Sequence, residues 1–158
     1  AVDAGVTTLE LDRLISQRNY RQIYNDQGRF LAAITDDPGR QEQLKKVLTD
    51  MTKINLAIAA ATNLSKTSLP GAWETIEKAS QEFPDDPELN RMSKDFALRA
   101  SDFVSALNTA RKHETAKQVG SALAWYLKAK NQFPLSELAG DGISRLAQSL
   151  RPGGQSGE

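Results

Sequence analysis

The amino-acid sequence predicts an all-α fold, and three observations support that prediction. Among its 158 residues there are 20 alanines and 18 leucines but only 5 valines, a bias toward strong helix formers. Apolar residues recur at steps of three and four over long segments, which is the period of a helix. Prolines and paired aspartates separate these segments, as expected at helix ends. Together these features predict seven helical segments and no strand.

The first two predicted helices lie before residue 35. The segment from Thr7 to Glu10 has the form of a capping box, so a helix is predicted to begin there and to end near Arg18. A second helix is predicted from Tyr20 to about residue 34. Gly28 is its expected weak point, because glycine costs about 1 kcal/mol in a helix interior. The segment 36–38, Asp-Asp-Pro, ends this region.

The most regular apolar stripe follows and predicts a long helix over about residues 39–65. Its members step by three and four residues along one helix face. They are Leu44, Val47, Met51, Ile54, Ile58 and Ala61. A shorter helix is predicted from Ala72 to Phe83, and the two prolines of the segment 84–87 end it.

The same order of elements is predicted again further along the chain. A long helix over about residues 88–112 carries a second stripe, and a polar turn over 113–118 leads to a short helix over 119–133. Pro134 ends that helix, and a last helix is predicted over 136–150. Residues 151–158 are mostly glycine and polar residues and are predicted to be disordered. The second stripe consists of Phe96, Ala100, Phe103, Leu107 and Ala110.

An internal repeat relates these two halves. At an offset of 49 residues, the apolar stripe of the first long helix falls on that of the second. At an offset of 50 residues, the first short helix falls on the second. The one-residue change lies in the connecting loop, where an insertion is tolerated. The repeating unit is therefore a long helix, a turn and a short helix that ends in Phe-Pro.

The short helices resemble the second helix of the tetratricopeptide repeat (TPR) family. In both, an alanine is followed by a large apolar residue, then a small residue, then a proline. The residues that carry the resemblance are Ala72, Ile76, Ala79, Pro84, Ala122, Tyr126, Ala129 and Pro134. The period departs from the family, because the first helix and turn are about 15 residues longer than in a standard repeat. The Trp-Leu-Gly signature of the first helix is also lacking.

The resemblance implies a TPR-like α-solenoid that forms a single domain over residues 1–150. Three helix-turn-helix units would cover about residues 8–35, 39–84 and 88–134, the last two with elongated first helices. A capping helix over 136–150 would follow. A plain antiparallel helical bundle is the alternative, since bundles and coiled coils show the same apolar stripes.

The composition argues against most classes of enzyme and against nucleic-acid binding. Twenty basic and 20 acidic residues cancel, so no net charge draws the chain to nucleic acid. Cysteine is absent and His113 is the single histidine, which leaves almost no transition-metal ligand set. The aspartate pairs at 36–37 and 85–86 are interpreted as helix caps rather than metal ligands. We therefore predict a protein that is not an enzyme, with no cofactor and no metal site.

A membrane span is not predicted either. The longest apolar run covers only residues 56–61, whereas a spanning helix needs about 20 residues. No secretory signal is present. The sequence begins without methionine, which fits a processed chain or one trimmed past an anchor. The bacterial cytoplasm is the favoured location, and a periplasmic or membrane-anchored location stays open.

In TPR proteins the first helix of each repeat lines a groove, and the resemblance implies such a groove one position beyond the core stripe. Asn55 and Asn108 are its most informative members, because amides can pair with an extended peptide backbone. Ordinary solvent-exposed helix residues are the alternative interpretation. The predicted partner-binding residues are Lys45, Thr52, Asn55, Thr62, Ser101, Asn108 and Arg111.

The predicted function is a non-catalytic protein–protein interaction module, an adaptor that binds a partner protein through its helical-repeat surface. Two alternatives remain open. The size, repeat class and lack of catalytic motifs are similar to those of the bacterial kinesin light chain family, whose members accompany bacterial tubulin. That likeness would imply an accessory protein that binds and stabilises a tubulin-like filament. The other alternative is a periplasmic or membrane-tethered assembly factor.

Overall fold

A computed structural model describes residues 4–151 of the chain. Within that range the secondary structure consists of nine α-helices and no strand, so the predicted all-α class is confirmed. No helix in the same range is long and apolar enough to cross a membrane. The disorder predicted for the tail concerns residues that, apart from Arg151, lie outside the described range. The helices are α1 (Ala4–Ser16), α2 (Tyr20–Asn25), α3 (Gln27–Ala33), α4 (Pro38–Leu64), α5 (Leu69–Glu82), α6 (Pro87–Arg99), α7 (Ser101–Thr115), α8 (Val119–Gln132) and α9 (Glu137–Ser149).

Two of the predicted helices are each split by a single residue. Asp26 separates α2 from α3, and Ala100 separates α6 from α7. The φ and ψ angles are −106° and 21° at Asp26, and −118° and 40° at Ala100. Both pairs lie outside the helical region. Neither residue is glycine or proline, so no local signal marks the split in the sequence. The weak point expected at Gly28 lies inside α3 instead.

The predicted start of the first helix is wrong. α1 already includes Ala4, and Thr7 is buried within it rather than capping it. The Thr8 hydroxyl donates to the carbonyl of Ala4, one helical turn back. A capping-box pattern therefore occurs here inside a helix, with Thr7 on the same buried side of α1 as Leu11 and Leu14.

Other helix ends follow their caps. α5 begins at Leu69, three residues before the predicted start, because Ser68 caps its first turn by accepting a hydrogen bond from the Gly71 amide at 3.0 Å. Asp37 and Asp86 also accept hydrogen bonds from backbone amides three residues later. These two aspartates thus act as the helix caps that the sequence predicted.

The chain divides into two compact units, the first ending at Leu56 and the second beginning at Ala57. In unit 1, α1 packs against α2 and α3. Arg29 forms a two-bond ion pair with Glu10, and Arg40 joins both Asp12 and Asp37. The buried apolar residues of unit 1 are Leu11, Leu14, Ile23, Phe30, Ile34, Leu44, Val47, Met51 and Ile54.

In unit 2, α5 packs against α6, α7 packs against α8, and α8 packs against α9. Alanines occupy many of the buried positions, which lets neighbouring helices approach closely. Ile58, expected in the core stripe, is only half-buried. The large buried side chains of unit 2 are Trp73, Ile76, Leu89, Met92, Phe96, Phe103, Leu107, Tyr126 and Leu146.

The N-terminus of α9 is held by a buried carboxylate from α5. Glu74 is only 5% exposed and accepts hydrogen bonds from the Ser136 hydroxyl at 2.7 Å and from the Glu137 amide at 2.6 Å. A third, longer bond of 3.3 Å comes from the Leu138 amide. Lys78 pairs with the Glu137 side chain beside it. The free amides at the start of α9 are thus satisfied by a residue more than 60 positions earlier.

A second polar cluster joins α9 to α7 and α8. The Tyr126 hydroxyl donates to Glu114 at 2.6 Å, and the Arg145 guanidinium donates two hydrogen bonds of 3.0 Å to the same carboxylate. Hydrogen bonding to Arg145 lowers the pKa of Glu114 despite its partial burial. Burial and the bond to Glu114 raise the pKa of Tyr126 to about 12.

Candidate interaction site

The predicted groove residues fall in both units. In unit 1, Lys45 and Thr52 line a shallow pocket of about 320 Å³, and Asn55 is half-buried. The Thr52 hydroxyl donates to the carbonyl of Leu48, so it is already satisfied within the helix. This pocket offers few free polar groups. Its other lining residues are Leu31, Gln41, Leu48 and Thr49.

In unit 2, Thr62 and Asn108 are exposed, and neither lines the clefts described below. Arg111 is half-buried, and its guanidinium lies 3.0 Å from the Glu77 carboxylate. It therefore links α7 to α5 and does not extend as a free cation. Of the predicted unit 2 residues, Ser101 is the one that lines the cleft described below.

The residues of the TPR-like motif behave mainly as packing residues. Ala72, Ile76, Ala122, Tyr126 and Ala129 are at most 1% exposed. The exceptions are Ala79, which is half-buried, and the two prolines, which are exposed at the helix ends.

A cleft of about 750 Å³ opens in unit 2 at the junction of three chain segments, and we call it the unit 2 cleft. The α4–α5 connection and the first two residues of α5 contribute residues 65–70. The α6–α7 junction contributes residues 99–103, and the end of α8 contributes Gln132 and Phe133. The single-residue break at Ala100 thus has a structural consequence, because it brings the start of α7 to the cleft wall.

A second pocket of about 400 Å³ adjoins the unit 2 cleft, and we call it the side pocket. The two share Thr67, Ser68 and Phe133, so they form one continuous depression. The most exposed apolar residue of the side pocket is Leu135, which is 82% exposed. The remaining lining residues of the side pocket are Leu64, Gly71, Glu74, Thr75, Lys78 and Glu137.

Three aromatic rings support the floor of the cleft. Phe103 is 2% exposed and meets Trp73 edge to face, with ring centroids 5.9 Å apart. It meets Phe133 in the same manner at 5.5 Å. Edge-to-face contacts of this kind stabilise a fixed arrangement of rings. The apolar part of the cleft is therefore a preformed surface.

Three charged side chains line the unit 2 cleft. The Lys66 side chain is exposed and forms no hydrogen bond or ion pair within the described part of the chain. Arg99 lies 3.6 Å from Asp95 in an exposed pair one turn back along α6, a weak contact in water. Asp102 is the single carboxylate of the lining. The cleft therefore carries two cations against one anion.

The polar groups that line the cleft are of three kinds. Its lining contains hydroxyls, one amide, and the three charged groups, but no histidine or cysteine. Over residues 4–151, no three or more His, Cys, Asp or Glu residues are grouped so as to hold a metal ion. His113, the only imidazole, lies on α7 against the Gln118 side chain.

Sequence reasoning missed most of this site. The cleft is built from loops and helix ends, whereas the predicted groove followed one face of each long helix. Two local signals were present: Ser68 before Leu69 and Pro70 marks a helix start, and Leu135 is an apolar residue just after a helix-ending proline. Neither signal shows that these segments meet.

Comparison with protein-family models, with curated proteins and with solved structures gave no match for this chain.

Proposed function

We propose that this chain is a non-catalytic protein-interaction module that binds an extended segment of a partner protein in the unit 2 cleft and side pocket. The observation that carries the proposal is Leu135, a large apolar side chain 82% exposed at the edge of a preformed depression. Burying a leucine side chain stabilises a complex by roughly 1.5–3 kcal/mol. Leu64 and Phe133 line the same pocket and would enclose an incoming apolar group.

An extended segment matches the cleft better than a small molecule does. The depression is open to solvent and continues from one pocket into the next through Thr67, Ser68 and Phe133. Small-molecule sites are usually enclosed and mainly apolar. Hydroxyl groups such as those of Thr67 and Ser101 both donate and accept hydrogen bonds, as the backbone of an extended peptide requires.

We further propose that unit 2 is organised as a TPR-like repeat. Three consecutive helices, α7, α8 and α9, pack against one another in chain order. The motif residues Ala122, Tyr126 and Ala129 are buried on α8 between its two neighbours. Such a repeat provides a rigid frame that holds loop residues at its helix ends in fixed positions.

The test is a selection of short random peptides, displayed on phage, against the whole chain. Peptides that use the cleft should bind the wild type and fail to bind Thr67→Trp, because the indole would fill the depression at the residue shared by both pockets. Ser121→Trp is the matched control, since Ser121 is exposed on α8 and lines neither pocket. Far-UV circular dichroism checks that both variants remain helical.

A second matched pair tests the apolar contact. Leu135→Ser should weaken the selected peptides by roughly tenfold or more, as expected from losing a buried leucine. Leu98→Ser should leave binding unchanged, because Leu98 is equally exposed, at 81%, but lies outside both pockets. Selected peptides that bind all four variants alike would overturn the cleft proposal. A folded partner, such as a tubulin-like filament, would then be the next candidate.

A further inference from the structure

We propose that the segment bound by the unit 2 cleft is acidic, and that Lys66 and Arg99 select it by charge; this inference rests on the proposed function. Acidic segment here means an extended stretch of a partner protein that carries at least one Asp or Glu side chain. The inference concerns the end of the depression formed by the α4–α5 connection and the α6–α7 junction.

The charge around this end of the cleft differs from that of the chain as a whole. The complete sequence has a formal net charge of zero. The cleft lining holds two cations, Lys66 and Arg99, and one carboxylate, Asp102. Complementary charge across an interface favours encounter with the matching partner and disfavours partners of the wrong sign. The excess is confined to this end, because the adjoining side pocket holds Glu74 and Glu137 against Lys78. An acidic side chain of the bound segment is therefore favoured beside Lys66 and Arg99.

Both cations are available to a ligand. The Lys66 side chain has no hydrogen bond or ion pair with the described residues. The Arg99 side chain is 51% exposed, and among the described residues its one ion pair is the 3.6 Å contact with Asp95. Its guanidinium also lies 5.7 Å from the centre of the Phe96 ring, a contact that an exposed arginine can leave at small cost. By contrast, Arg111 is engaged by Glu77 at 3.0 Å, and Arg145 by Glu114 at 3.0 Å. Lys66 and Arg99 can thus turn toward a carboxylate without breaking a strong internal pair.

Two variants of the cleft and one control test the charge selection. Peptides selected on the wild type should be enriched in Asp and Glu. Lys66→Gln combined with Arg99→Gln should weaken acidic peptides by about three- to thirtyfold, the effect of losing two exposed ion pairs. Asp102→Asn should instead strengthen them, by up to about fivefold. Lys94→Gln is the control, because Lys94 is exposed on α6 and lies outside the cleft.

Ionic strength provides an independent readout. Binding of acidic peptides to the wild type should weaken as salt is raised, and the double glutamine variant should lose most of that dependence. A purely structural role for Lys66 and Arg99 would leave the salt dependence unchanged.

The outcomes separate this inference from the proposed function. The inference would be overturned if the selected peptides require an open cleft but are neutral or basic. It would also be overturned if their affinity does not change when Lys66, Arg99 or Asp102 is substituted. In both cases the cleft proposal itself would stand. If no selected peptide depends on the cleft, both fail together. Acidic, cleft-dependent peptides with opposite responses to the cation and Asp102 variants would support both.

Discussion

At the scale of single residues, Tyr126 shows how one buried side chain joins three helices. It lies on α8, its hydroxyl bonds Glu114 on α7, and its ring packs against Gly142 on α9. A Cβ atom added at Gly142 would lie only 2.6 Å from that ring, a distance that no packed side chain tolerates. The glycine therefore lets α9 approach α8.

Gly142→Ala should consequently lower the free energy of unfolding by roughly 1–3 kcal/mol, the usual cost of overpacking. The ring cannot move aside without breaking the bonds among Tyr126, Glu114 and Arg145. Gly120→Ala on α8 is the control, because nothing lies within 4 Å of its added Cβ. That change should be neutral or stabilise by up to about 1 kcal/mol. Urea unfolding measures both, and equal stabilities would contradict the close approach.

The hydroxyl of Tyr126 makes a separate prediction about alkaline pH. Its pKa is raised to about 12, above the value near 10 expected in the unfolded chain. Since the folded state holds this proton more tightly, its contribution is fully present below pH ~10 and is lost as pH rises toward ~12. Tyr126→Phe should remove the titration step near pH 12 seen by phenolate absorbance. It should also cost about 0.5–1.5 kcal/mol at neutral pH.

At the scale of elements, α9 depends on a cap supplied from elsewhere in the chain. Ser136 caps the helix by accepting from the Ala139 amide at 3.0 Å, and Glu74 accepts from both the Ser136 hydroxyl and the Glu137 amide. A buried carboxylate at a helix N-terminus is favoured by the helix dipole and by the free amides. The position of α9 is therefore coupled to α5.

Glu74→Gln should loosen α9 selectively, because the amide NH2 of glutamine cannot accept the hydrogen bonds that both carboxylate oxygens accept. We expect a loss of about 1–3 kcal/mol and faster hydrogen exchange confined to the first turns of α9. Glu137→Gln is the matched control, since it removes only the exposed pair with Lys78 and should change stability little. Uniform acceleration of exchange over all of unit 2 would argue against a local cap.

At the scale of the whole molecule, the shifted pKa values predict that the free energy of unfolding is nearly constant around neutral pH and falls at both acid and alkaline pH. Several carboxyl groups have a lowered pKa, chiefly because arginine or lysine donates hydrogen bonds to them. These groups are Glu10, Asp12, Asp37, Glu114 and Glu137. A lowered folded-state pKa means that their contribution is present above pH ~4 and is lost as pH falls through the folded values.

Thermal unfolding followed by circular dichroism should therefore show a nearly constant Tm from about pH 5 to pH 9, with a fall below pH ~4. Arg40→Gln should make the acid fall shallower, because Asp12 and Asp37 both depend on that one guanidinium. An unchanged acid slope in this variant would show that the Arg40 cluster contributes nothing to the pH dependence.

The sequence alone determined the fold class, most helix positions and most of the buried face of α4. Leu44, Val47, Met51 and Ile54 are buried as their spacing predicted, since the helical period is a local property that tertiary contacts seldom override. The caps at Asp37 and Asp86 were also readable, because capping involves residues only three positions apart.

Tertiary structure alone decided where two of the predicted helices split and which distant residues meet. The splits at Asp26 and Ala100 occur at ordinary residues, and Glu74 reaches α9 from more than 60 positions away. The unit 2 cleft joins segments near residues 66, 100 and 133, whose distances along the chain give no periodic signal. The sequence also could not show that the Lys66 side chain is unpaired or that Arg111 pairs with Glu77. The partner of a charged residue is fixed by packing and not by its neighbours in sequence.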